Sequence, residues 1–268
     1  MGAPAVRAVM RLAWLTDVHL NFLDGEARAR FAREVAATDT EGVVITGDIA
    51  EADSFEALLQ ELAGEVARPV WFVLGNHDFY GGGIDDVRER ARSFKPARWL
   101  AAAGVVRLTS QVALVGCDGW GDARLGNVAT TPVELTDFHL IEDLARLRRP
   151  ERIERLRRLG DDAAASLREQ VASALTWATH VVVAIHVPPF RESCWHEGQI
   201  SDDDWLPYFT CAAAGDVLRT AMAARPDARM TVYCGHTHGS GEATILPNLH
   251  VQTGGAEYGA PIVRTIEV

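Results

Sequence analysis

The stretch VWFVLGNHDF, residues 70–79, changes character at Gly75. Five apolar residues give way to an amide, an imidazole and a carboxylate side by side: Asn76, His77 and Asp78. A short apolar run rich in β-branched and aromatic residues, stopped by Gly, reads as a buried strand leaving the core through a turn. Taken alone, GNHD is an ordinary turn sequence, because Gly and Asn favour one. It carries chemistry only if other strand ends supply partners.

Four more segments follow the same grammar: RLAWLTDVH (11–19), GVVITGD (42–48), VVVAIHVPP (181–189) and MTVYCGHTHG (230–239). VALVGCDGW (112–120) adds a sixth strand, and SFEALLQELAGEVA (54–67), with Ser54 as N-cap, reads as a helix between two of them. Residues 136–177 also read as helical, broken at Pro150 and Gly160. The tail segments EATILP, HVQTG and PIVRTIEV read as a short antiparallel run. Alternating strands and helices predict an α/β fold with substantial parallel pairing. Without repeats or linkers, residues 1–268 are expected to form a single domain.

Composition bounds the function. The chain is 48% hydrophobic and 24% charged, ordinary for a globular protein. A formal charge of −11 disfavours nonspecific binding to nucleic acid or anionic membrane. The four cysteines form no CxxC pair, the N-terminus is a poor leader, and Val6 stands where myristoylation expects Ser or Thr. No apolar run has membrane-spanning length. A cytoplasmic protein with reduced thiols is the expectation.

In open α/β sheets, ligands bind beyond the carboxyl ends of the strands, where all five motifs fall. Asp17 and His19 stand two apart, so an extended segment would project both to one side, and His236 and His238 repeat the spacing. Asp48, Asn76 and His186 each follow a strand. Singly, such residues are helix caps, turn formers or surface histidines. Together they form a mixed set of imidazole nitrogens and carboxylate and amide oxygens, which suits Mn, Fe, Zn or Co better than Ca or Mg.

The order Asp-x-His, Gly-Asp, Gly-Asn-His-Asp, His, Gly-His-x-His resembles the calcineurin-like metallophosphoesterase superfamily, with DVH at 17–19, GD at 47–48, GNHD at 75–78, HVPP at 186–189 and GHTH at 235–238. The resemblance implies a four-layer sandwich of two mixed β-sheets flanked by helices. It further implies two divalent transition-metal ions per chain, one held by Asp17, His19, Asp48 and His238. The other would be held by Asp48, Asn76, His186 and His236, with Asp48 bridging. His77 would face the substrate as proton donor with Asp78 behind its ring, while hydroxide held at the metals attacks phosphorus.

A small phosphoester, diester or monoester, is the favoured substrate. A phosphoprotein phosphatase or nuclease is the enzymatic alternative, and a scaffold without chemistry fits poorly because the ligand set is complete. Residues from about 190 to 210 read as a lid or specificity loop carrying Trp195, His196 and Trp205, and Trp120 falls near the same strand ends. Trp120, Trp195 and His196 are therefore the candidate substrate contacts. RLRRPERIERLRR (146–158), with seven arginines and two glutamates, reads as a solvated helix face rather than a nucleic-acid site. His139, His180 and His250 read as surface or packing residues.

Overall fold

The computed structural model describes residues 9–268. The reading of residues 1–8 as neither leader nor acylation signal lies outside the described residues. The strands among the described residues are β1 (Arg11–Leu15), β2 (Gly42–Thr46), β3 (Val70–Val73), β4 (Arg98–Trp99), β5 (Val106–Arg107), β6 (Val112–Cys117), β7 (His180–Ile185), β8 (Trp195–His196), β9 (Gln199–Ile200), β10 (Arg229–Cys234), β11 (Gly241–Leu246), β12 (Leu249–Thr253) and β13 (Arg264–Glu267). One sheet has the order β13-β1-β2-β3-β4, the second β11-β12-β10-β7-β6-β5, and β8-β9 form a small hairpin. In the first sheet β1 to β4 are parallel and β13 is antiparallel at the edge. In the second, β6, β7, β10 and β12 are parallel, with β5 and β11 antiparallel at the two edges.

Alternation along the strands sorts the core into three apolar layers. Leu12, Trp14, Val44, Trp71, Val182 and Tyr233 pack between the sheets. Their neighbours Ala13, Leu15, Val43 and Ile45 face outward under helices Gly25–Ala37, Phe55–Val66 and Ile84–Ser93. Val181, Val183 and Ile185 face the other way, under helices Arg149–Ala174 and Ala212–Ala223. The result is helix, sheet, sheet, helix: the four-layer α/β sandwich of two mixed sheets.

Three local expectations need correction. The tail is not one antiparallel run. β11 and β12 form a hairpin, β12 pairs parallel with β10, and β13 crosses to the first sheet to pair with β1. Ser54 precedes its helix but does not cap it, since its hydroxyl donates to the Glu51 carbonyl at 3.2 Å. The 136–177 segment is interrupted just ahead of Pro150, after short helices at Asp137–Leu140 and Glu142–Ala145. Gly160 does not break the long helix that follows, Arg149–Ala174. Pro150 sits in the first turn, where its missing N–H costs nothing. Gly160 is buried against the chain, where an added Cβ would lie 2.5 Å from Asp122 Cβ.

That contact predicts opposite signs for two similar substitutions. Gly160→Ala should lower Tm by several degrees, because overpacking costs about 1–3 kcal/mol. Gly64→Ala, in an exposed helix interior with nothing within 4 Å of its new Cβ, should raise Tm slightly. Thermal unfolding of the two variants showing the same sign would contradict this account of the helix packing.

Candidate metal centre

Every motif leaves the carboxyl end of a strand and turns inward over the same spot. The first sheet delivers Asp17, His19, Asp48 and Asn76 after β1, β2 and β3, and the second delivers His186, His236 and His238 after β7 and β10. The loops interlock through backbone hydrogen bonds: Asp17 N to Gly47 O (3.1 Å), His19 N to Asp48 O (3.0 Å) and Gly235 N to His186 O (2.9 Å). Asp17 and His19 do not converge by lying two apart on an extended segment. Asp17, His19, Asp48, His236 and His238 all have φ between 41° and 72°, so these segments are not extended. Non-glycine residues in that region cost roughly 1–3 kcal/mol each, and such strain collects at functional sites. Gly75 is required by close approach, since an added Cβ would collide with the Asp48 carboxylate.

Four of these side chains gather their donor atoms within 4.8 Å of one another: Asp17, His19, Asp48 and His238. His19 Nε2 lies 3.3 Å from His238 Nε2 and 3.8 Å from Asp48 Oδ2, and His238 Nε2 lies 3.6 Å from Asp17 Oδ1. On the other side of Asp48, Oδ1 lies 3.4 Å from His186 Nε2. His186 Nε2 and His236 Nδ1 stand 3.0 and 2.9 Å from Asn76 Oδ1. Asp48 therefore turns one oxygen toward each group.

Hydrogen bonding tests whether the second group suits a cation. The outer nitrogens, His186 Nδ1 and His236 Nε2, meet the carbonyls of Thr46 (2.8 Å) and Tyr208 (3.0 Å). A carbonyl only accepts, so those nitrogens carry the protons and the inner nitrogens of the neutral rings carry lone pairs. Asn76 Nδ2 donates to Asp137 Oδ1 at 2.8 Å, which fixes its oxygen toward the same point. Tyr80 donates to that Asp137 oxygen at 2.6 Å. Three lone pairs thus face one another with no proton to share, an arrangement that a cation resolves. Imidazoles held from behind by carbonyls are the usual second layer of a metal site.

Electrostatics agree. Burial pushes the Asp17 and Asp48 carboxyls up to about 7. Burial also pushes His19 down to about 2 and His77 to about 4, and lowers His236 and His238. Carboxylates and imidazoliums are both disfavoured here, as expected of a buried site whose counter-charge is an ion.

Asp78 differs from expectation. It does not stand behind the His77 ring. Its fully buried carboxylate accepts from Ile49 N and Ala50 N (both 2.9 Å) and from Gly75 N (2.8 Å). It clamps the Asp48 loop to the Asn76 loop. His77 instead stacks on Tyr80 with ring centroids 4.3 Å apart, and its backbone N–H donates to Asp48 Oδ1 at 2.9 Å.

A cleft of about 240 Å³ opens over the cluster, lined in part by Asp48, His77, His196, Trp205, Phe209 and Tyr258. His196 reaches this cleft, with Nδ1 3.1 Å from the Thr237 carbonyl. Trp195 and Trp120 do not. The Trp195 indole packs against Gly241, and its backbone lies beside Gly239. Trp120 is 3% exposed and lies against Phe79 in the core, behind Asn76 and His236. Residues 190–210 contribute His196, Trp205 and Phe209 to the cleft wall, and Cys194, Leu206 and Thr210 within them are fully buried. Sequence reasoning missed Asp137, Tyr80 and Tyr258. None lies in a motif, and two backbone carbonyls that orient the histidines leave no trace in residue identity.

The chain matches the family model described as calcineurin-like phosphoesterase over residues 10–240. No curated protein matches it significantly. Similar solved structures include phosphopantetheinyl hydrolase from Mycobacterium tuberculosis, at 16% identity over 92% of this chain and 89% of that one, with a TM-score of 0.61. A dimetal phosphatase from Danio rerio is 13% identical over 92% and 87%, with a TM-score of 0.53. At these identities the likeness is one of fold. The family match spans most of the chain and every strand-end motif, so the chain belongs to the calcineurin-like phosphoesterases and is a metal-dependent phosphoester hydrolase.

Proposed function

We propose that the protein hydrolyses a small phosphoester at a centre of two divalent transition-metal ions drawn from Mn, Fe, Zn and Co. The observation that carries this reading is the Asp48 carboxylate, with one oxygen toward His19 and the other toward His186. Asp17, His19, Asp48 and His238 would hold one ion, and Asp48, Asn76, His186 and His236 the other. Two ions bound there supply Lewis acidity for a phosphoryl oxygen and acidify a water.

The chain's own groups do the rest. His77 lines the cleft beside Asp48. Burial disfavours its protonation, but the negative charge of a bound phosphoryl group would favour it, and the ring can then pass a proton to the departing alkoxide. Tyr80 supports the ring from one face. Asp78 acts on His77 only through the backbone it clamps. The cleft's size and its aromatic wall at Trp205 and Phe209 support a small substrate. So does the arginine run, six of whose seven members have a partner in the same chain. Arg148 pairs with Glu151, Arg152 with Glu134, Arg155 with Asp143 and Arg158 with Glu154, while Arg149 and Arg157 donate to carbonyls. Four buried, unpaired cysteines suit a reducing compartment, which supports a cytoplasmic location.

Metal analysis after loading should approach two ions per chain, and Asp48→Asn should reduce it. A content that never exceeds one, unchanged in Asp48→Asn, would sink the dinuclear assignment. His77→Ala should keep its metal yet lose most turnover on alkyl esters, with a smaller loss on nitrophenyl esters, whose leaving groups need little protonation. Equal losses on both classes would show that His77 positions the phosphoryl group instead. Asp78→Ala leaves three buried N–H groups without an acceptor, so about 3 kcal/mol and roughly 10 °C of Tm should be lost, with metal content falling too. Wild-type Tm and metal content with lost activity would return Asp78 to the proton-transfer role.

A further inference from the structure

Two exposed aromatic rings adjoin the cleft, and the chemistry above does not use them: Tyr258 lines it, and Phe22 stands just outside, against Tyr258 and 5.9 Å from the His19 ring. Phe22 is 52% exposed and Tyr258 48% exposed. Their centroids lie 4.9 Å apart, and the Tyr258 ring reaches His19 at 4.5 Å and His238 at 4.9 Å. Both are held by local backbone. Phe22 ends the single turn Leu20–Phe22, with its N–H donating to His19 O at 2.9 Å. Tyr258 precedes Gly259, whose φ of 77° lets Ala260 N close a turn on Glu257 O at 3.1 Å. That turn is tied down nearby, since Ala256 N donates to His238 O and Arg264 to Gly255 O.

A single exposed apolar side chain needs no explanation, but a contiguous pair beside a reactive centre marks a contact surface. The opposite wall is less available. There Trp205 and Phe209 stack on each other at 4.9 Å, and Phe209, only 7% exposed, also packs on His236. On the Phe22 side the Tyr258 hydroxyl lies 3.5 Å from His77 Nε2, so the ledge reaches from bulk solvent to the reacting side of the cleft. An organic group resting on it leaves its phosphoryl oxygens over the ligand cluster.

We propose that Phe22 and Tyr258 form a specificity ledge that receives the organic group of the substrate and selects phosphoesters of aromatic or other flat apolar alcohols. The proposal rests on the phosphoester reading of the adjoining centre. Tyr258 lies beyond residues 10–240 matched by the family model, and Phe22 lies within them. Offset or edge-on contact with two rings is the attraction that distinguishes a phenyl from a methyl substituent.

Phenylphosphonate and methylphosphonate test this without turnover, since both keep a phosphoryl-like head and lack a hydrolysable ester. Titration calorimetry on the manganese-loaded full chain should show phenylphosphonate binding about tenfold more tightly, or about 1.4 kcal/mol. Phe22→Ala removes an exposed side chain, so the fold should persist. It should bring the ratio close to one while leaving methylphosphonate affinity unchanged. Tyr258→Phe keeps both rings and should keep the preference. A wild-type ratio near one, a ratio unaffected by Phe22→Ala, or a preference lost in Trp205→Ala but not in Phe22→Ala would overturn the ledge and leave the phosphoester reading standing. Failure of both phosphonates to bind, with no phosphoester hydrolysed, would overturn both.

Discussion

Around Asn76 three lone pairs meet: its own Oδ1, His186 Nε2 at 3.0 Å and His236 Nδ1 at 2.9 Å. Such a set is repulsive in isolation, and each member is held in place from behind. Asp137 and Tyr80 fix the amide, and the Thr46 and Tyr208 carbonyls fix the two rings. Much of the surrounding structure exists to sustain this convergence. Five further constraints lie in the backbone, where Asp17, His19, Asp48, His236 and His238 occupy the left-handed region. Strain of this kind persists only when the scaffold overdetermines it.

The scaffold does so by splitting the converging side chains between two sheets. Asp17, His19, Asp48 and Asn76 come from the first, and His186, His236 and His238 from the second. The site is complete only when the sheets pack face to face, so the apolar layer holding Trp14, Val44, Trp71, Val182 and Tyr233 is also what assembles the centre. Trp14 joins the two roles, since its ring packs on Tyr233 at 4.8 Å and its Nε1 donates to Thr46 Oγ1 at 3.0 Å. Thr46 is the residue whose carbonyl orients His186. Asp78 then locks the Asp48 and Asn76 loops through three backbone N–H groups. A loss at Asp78 would therefore reach the centre through geometry rather than through a missing charge.

Strand positions and the convergence of their ends were legible because buried parallel strands are continuous apolar runs and Gly, Asp, Asn and His stop them abruptly. VVVAIH and VLGNHD announce both the strand and its terminus. Residue identity did not disclose backbone conformation, so the i, i+2 spacing of Asp17 and His19 led to an extended segment where the chain is left-handed. Asp78 was misplaced for the same reason, since neighbours in sequence need not touch. Gly160 looked like a helix breaker because only the fold shows that Asp122 lies against it. Trp120 and Trp195 looked like cleft residues because aromatics near a site are equally useful as core. Tyr258 could not be seen at all. It reaches the cluster through the connection from β12 to β13, whose path depends on β13 joining the first sheet.

Anomalous diffraction from manganese-loaded crystals would locate the ions. Two peaks are expected, about 3.5–4 Å apart, on either side of the Asp48 carboxylate, with Asn76 Oδ1 facing the peak nearer His186 and His236. A single peak, or an Asn76 amide turned so that Nδ2 faces the histidines, would contradict the two-ion reading.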